Sequence, residues 1–209
     1  MNAAFHQVIA ASDAERRDLF LTTARRLGTA VQNVEKDFWV CWTLDVLFNG
    51  FGEGQPRLLF KGGTSLSKSF GLIDRFSEDI DITVFRHDLG EPASIEDLEA
   101  LSGKKRRARL DAIRAACQVF INGPFLTRFA DVMTDVMRSA RIAQTRYRAE
   151  PDPADADQQT VLFWYPVVTA AADEYIRSAV KIEAGAKELS ENNSSICGAG
   201  HGTVPHRWW

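Results

Sequence analysis

Apolar positions along this chain recur with two periods, and the change from one to the other marks out its elements. From Ser12 the spacing is helical. Ser12 and Glu15 form a capping box, Leu19, Phe20, Ala24 and Leu27 give an apolar face, and Gly28 supplies a stop. A second helix is predicted from about Asn33 to Phe48, with Val34, Phe38, Cys41 and Trp42 at helical spacing, ending at "NGFGEG". The period then shortens. "RLLF" reads as a buried strand, "TSLSKSFGL" as a helix, and "DIDITVF" as a strand alternating every second residue.

Downstream, "HDLGEPAS" is a loop, and Ser94 caps a helical region that restarts through the basic cluster and continues to about Ile121. Gly123-Pro124 is expected to break it before a further helix, "FLTRFADVMTDVMRSA". "RIAQTRYRAE", "TVLFWYPVV" and "EYIRSAVKIEAG" read as three strands, the first two joined as a hairpin by the acidic loop "PDPADADQQ". These elements predict an α+β fold, a mixed sheet flanked by helices. Its organisation is a helical segment over 1–50, a core over 51–190 and an irregular tail over 191–209. The tail, "NNSSICGAGHGTVPHRWW" and the residues before it, has no period and much Gly and Ser.

Composition changes this picture little. The 209 residues are 45% apolar and 25% charged, enough for one ordinary core. No apolar run reaches the length of a membrane span, and the N-terminus lacks the pattern of a signal peptide, so cytoplasm is the expected location. Cys41, Cys117 and Cys197 are far apart and make neither a disulfide framework nor a zinc site. Cys41 reads as a small core residue. Net charge is −3, yet Lys104, Lys105, Arg106, Arg107 and Arg109 cluster. Such a run is either a solvated helix face or a contact surface for a phosphate backbone. Phe163, Trp164 and Tyr165 read as core.

The chemistry concentrates in "LLFKGGTSLSKSFGLIDRFSEDIDITV". Gly62 to Ser69 nearly fits a Walker A loop, but Ser67 stands where the second glycine is needed, which disfavours a P-loop kinase. Gly62 and Gly63 allow close backbone approach, Thr64 and Ser65 offer hydroxyls and amides, and the helix that follows turns its N-terminus toward an anion. Asp79 and Asp81, two apart on a strand, face the same side. Their mutual repulsion is relieved by a divalent cation, and Mg²⁺ favours carboxylate together with phosphate oxygens. A phosphate turn beside a metal-binding Asp-x-Asp is the minimal device for nucleotidyl transfer.

"EKDFWVCWTLDVLF", the KGGT…R-x-S-x-D-I-D block and "AVKIEAGAK" resemble successive motifs of the AbiEii/AbiGii-type nucleotidyltransferase toxins, of the DNA polymerase β-like nucleotidyltransferase superfamily. The resemblance covers roughly residues 30 to 187. It implies a nucleotidyltransferase-type sheet, with Asp79, Asp81 and Glu183 as catalytic metal ligands for Mg²⁺ or Mn²⁺. It further implies an NTP held by Lys61, Gly62, Gly63, Thr64, Ser65, Lys68 and Lys181. Arg75 and Ser77 would shape the turn before the metal strand, and Glu35 and Lys36 also match, as an ion pair or as catalytic groups. An RNA acceptor, tRNA in characterised relatives, and an antitoxin encoded nearby are the partners implied, with a role in phage defence or growth arrest. Family members usually continue into a further helical region after "KIEAGAK", so the tail reads as a truncated or frameshifted C-terminus. The rival reading is a remnant that keeps the fold without turnover.

Overall fold

The computed structural model describes residues 2–61, 79–169 and 178–187. Three helices open the chain: α1 (Ala3–Ala10), α2 (Asp13–Leu27) and α3 (Val31–Asp45). The capping box predicted for α2 is present, and Gly28 closes it at φ 67°, a left-handed conformation that glycine adopts without Cβ strain. Sequence periodicity misses α1, which is too short to show one; the Asn2 side chain caps it by accepting from the Ala4 amide. A wide π turn, Val46–Gly50, follows α3.

Five strands form one mixed sheet: β1 (Leu58–Lys61), β2 (Asp79–Phe85), β3 (Arg148–Pro151), β4 (Thr160–Trp164) and β5 (Ala179–Lys187), ordered β1-β2-β5-β4-β3. β2 and β5 run parallel at the centre, and the other neighbours are antiparallel. The predicted class is therefore the observed one, and β3 and β4 make the expected hairpin.

Between β2 and β3 lie α4 (Ile95–Ala100), α5 (Gly103–Phe120) and α6 (Leu126–Ser139). The helical region expected from Ser94 restarts at the basic cluster as read, because Leu101 leaves the helix in extended backbone. One expectation changes here: Gly123-Pro124 does not break the chain. Backbone stays helical through a π turn, Ile121–Phe125, whose widened ring accommodates a proline that has no N–H to give. Likewise, "RIAQTRYRAE" is a strand only from Arg148; a 3-10 turn, Gln144–Arg146, precedes it.

Alternation gives the sheet two different faces. Ile80, Ile82 and Val84 of β2, Val180 and Ile182 of β5, and Val161 and Phe163 of β4 are buried in one core with α3 and α6. Phe163 is the hub: Trp39 and Trp42 of α3 and Phe129 of α6 meet its ring at 5.8, 5.2 and 5.5 Å between centroids. Such aromatic contacts each contribute roughly 0.5–1.5 kcal/mol beyond burial. Cys41, by contrast, is half-buried and Cys117 of α5 is buried. The helical N-terminal segment thus shares a core with the sheet, and the opposite sheet face carries Asp79, Asp81, Lys181 and Glu183 beside the buried Leu162, Phe85 and Ala179.

Candidate functional site

Register decides which side chains stand together on that second face. Asp79 pairs with Lys181 and Asp81 with Glu183 across the parallel β2–β5 ladder. Lys61, the last residue of β1, pairs with Asp81 from the other side. On the far side of β5, Thr160 and Leu162 of β4 oppose Glu183 and Lys181. Arg148 and Glu150 of β3 oppose Trp164 and Leu162. Residues directly across from one another share a face, so one polar surface runs from Lys61 to Arg148.

Glu183 accepts a hydrogen bond and ion pair from the Lys181 ammonium two residues away on the same strand. That carboxylate, and after it Asp79 and Asp152, holds the Lys181 pKa above its usual range, against the effect of part burial. The Lys61 ammonium reaches over toward β5: a Cβ placed on Gly185 would lie 3.8 Å from its Nζ. It also acts on Cys117 of α5, whose thiol burial pushes up to about 11 despite a hydrogen bond with Gln159 and the nearby Lys61 charge. A site cysteine this far from ionisation is no nucleophile.

Two carboxylates at paired positions on adjacent strands, about 4.8 Å apart in backbone, can bracket one Mg²⁺, which typically takes one or two carboxylates and completes its shell with phosphate oxygens and water. The donor set fits that ion. Among the described residues no three carboxylate, imidazole or thiolate groups are already gathered into a ligand cluster. On the β5 side the Lys181 ammonium sits on Glu183.

Gly62, Gly63, Thr64, Ser65, Lys68, Arg75 and Ser77 lie outside the described residues. Lys104, Lys105, Arg106 and Arg107 are exposed on the first turns of α5. Arg109 is occupied: it pairs with Glu91 and donates to the Pro92 carbonyl at 2.7 Å, tying the loop before α4 to α5. Glu35, buried in α3, accepts from the Val168 amide at 2.8 Å, the Thr169 amide at 3.1 Å and the Thr169 hydroxyl. It anchors the chain that leaves β4, and burial raises its pKa against those hydrogen bonds.

Sequence reasoning missed two groups. Asp152, buried just past β3, bears electrostatically on Lys181 and belongs to the same face by the alternation Arg148, Glu150, Asp152. Trp164 was expected in the core with its neighbours; Phe163 and Tyr165 are there, but Trp164 points the other way because strand neighbours alternate. The spacing in "RAEPD" and "TVLFW" carries both signals once the strands are placed.

The family model for the nucleotidyl transferase AbiEii toxin of type IV toxin–antitoxin systems matches residues 45–197. The chain belongs to that family. Its AbiEii membership confirms the resemblance read from the motifs. No curated protein matches the sequence. A solved structure that the fold resembles is the MenT4 nucleotidyltransferase toxin of Mycobacterium tuberculosis H37Rv, with 17% identity and a TM-score of 0.38 over 81% of this chain. The chain spans 44% of the length of that structure. As an AbiEii chain it also has, among the described residues, no helix long and apolar enough to cross a membrane. β1, an edge strand antiparallel to β2, is unlike the parallel strand that a βαβ P-loop unit places before its turn, so the kinase reading falls away.

Proposed function

We propose that this AbiEii chain is a nucleotidyltransferase dependent on Mg²⁺ or Mn²⁺, transferring NMP from an NTP to a hydroxyl at the end of an RNA. Family resemblance makes tRNA the first acceptor to try. The observation that carries the reading is the register that sets Asp81 beside Glu183, with Asp79 and Lys181 one pair before them. When bound, the divalent ion would supply neutralisation of the triphosphate and a more acidic acceptor hydroxyl.

Asp79, Asp81 and Glu183 would hold that ion. Lys61, which leads directly into Gly62 to Ser65, and Lys181 would meet the triphosphate, with Lys68 on the same segment. Lys181 has a second task. In leaving Glu183 for an incoming phosphate it exchanges one anion for another and releases the carboxylate when it is needed. The acceptor oxygen forms its bond to the α-phosphorus, the bond to the bridging oxygen breaks, pyrophosphate leaves with the electron pair, and water takes the hydroxyl proton. The exposed Lys104 to Arg107 turn suits backbone phosphates of the acceptor. Membership of a type IV toxin–antitoxin family supports an antitoxin as the regulatory partner.

One observation favours a remnant without turnover: Glu183 already has Lys181 as a charged partner and does not need a metal to balance it. Incubation with each labelled NTP, Mg²⁺ and total RNA separates the two. Label in RNA supports transfer, and none with any NTP supports the remnant.

A further inference from the structure

We propose that Trp164 and Arg148 form a stacking platform for a nucleobase at the end of the acceptor strand; the assignment to an acceptor rests on the transferase reading above. Trp164 stands at the end of β4, on the sheet face that carries Lys181 and Glu183. The Arg148 guanidinium lies over its ring, 4.5 Å from the centroid. Glu150 locks the pair. Its Oε1 accepts from Arg148 Nε at 3.0 Å and from Trp164 Nε1 at 2.8 Å. The guanidinium and a partly exposed indole are thereby held one over the other, with the Arg148 side chain still 58% exposed. Planes of this kind, aromatic and guanidinium, are what unpaired bases stack on.

Position within the sheet says which base. Lys61, at the start of the phosphate turn, is on edge strand β1; Asp81 and Glu183 are central; Arg148 is on the opposite edge strand, β3. Displacement at phosphorus requires attacking and leaving oxygens in line, on opposite sides. With the triphosphate's leaving end toward β1, the attacking hydroxyl comes from the β4–β3 side, where the platform stands. Two strand spacings and one residue pair separate Asp79 from Trp164, about 12 Å between backbones. That suits the last bases of a strand whose terminal hydroxyl is at the carboxylates.

Binding of a short labelled single-stranded oligoribonucleotide, without NTP, tests this in the full chain. Trp164→Ala and Arg148→Lys should each weaken it by roughly tenfold or more. Trp164→Phe should recover much of the loss, and binding of NTP alone should be unchanged. Arg148→Lys is the decisive variant, since it keeps charge and sits on the surface while removing the plane and its Nε bond to Glu150. An oligonucleotide whose 3′-terminal nucleotides are abasic should bind wild type as poorly as the intact strand binds Arg148→Lys. Unchanged affinity of the intact strand in folded Arg148→Lys overturns the platform, as does equal loss with a blunt duplex. Loss confined to NTP overturns the assignment to the strand. Because binding is read without turnover, a wild type that binds the strand through Arg148 yet transfers nothing contradicts the transferase reading and leaves the platform standing.

Discussion

Asp81 of β2 and Glu183 of β5 stand directly opposite each other in a parallel ladder, with Lys181 of β5 paired to Glu183 on one side and Lys61 of β1 paired to Asp81 on the other. Two anions from strands distant in sequence are thus interleaved with two cations. That alternation of charge is the feature on which the proposed chemistry rests.

Lys181→Met removes the cation that competes for Glu183. Affinity for Mn²⁺ should rise, because the carboxylate no longer carries an ammonium on it. NTP affinity should fall in the same variant. Calorimetry with each ligand measures both, and an unchanged Mn²⁺ affinity would show that Lys181 does not guard the carboxylate.

Gly185 leaves room for the Lys61 ammonium. An alanine there meets Nζ at an ordinary 3.8 Å, so Gly185→Ala should fold and bind nucleotide normally. Gly185→Val carries two further methyls into the same space and should displace Lys61, lowering NTP affinity more than stability. Parallel thermal melts and nucleotide titrations check the split.

Glu35→Ala strands two backbone amides and a hydroxyl around Val168 and Thr169. Each buried unsatisfied group costs about 1–3 kcal/mol, so a fall in stability of several kcal/mol is expected by denaturant titration. A loss under about 1 kcal/mol would mean that water reaches the site.

Asp88 fastens the start of β1 to the 3-10 turn after β2, and its hydrogen bond with Arg57 holds its pKa below the ordinary 3.8. A lowered folded pKa contributes stability that is present above 3.8 and lost as pH falls through the lowered value. Arg57 is well exposed, so the contribution is about 1 kcal/mol or less. Asp88→Asn should therefore lower stability at neutral pH by up to that amount, change little below the lowered pKa, and so flatten the acid limb of the stability curve measured by denaturant titration.

Much of this arrangement was legible before any coordinates. Period-two alternation located "DIDITVF" to the residue, and the capping box at Ser12 and the cap at Ser94 located two helix starts. Asp79 and Asp81 were placed on one face by that alternation alone. Glu183 and Lys181 joined them only through the family resemblance, because a parallel partner about a hundred residues away is a matter of tertiary register that no local pattern encodes. Trp164 shows the same limit. An apolar run such as "TVLFWY" does not say that both of its faces are used, and only the pairing with Arg148 and Ala179 reveals that its odd and even positions serve different surfaces. Pro124 misled for a local reason: a π turn absorbs the proline that an α-helix would reject.

The central claim is that β2 and β5 together form one metal-dependent transfer centre, and the most direct measurement is incorporation of labelled NMP into RNA at saturating Mg²⁺ by wild type, Asp81→Asn and Glu183→Gln side by side. Wild type should label RNA, and each variant, folded by its melting curve, should be slower by at least about a hundredfold, as expected when about 3 kcal/mol of transition-state stabilisation is lost. Wild-type rates in either folded variant would contradict the account.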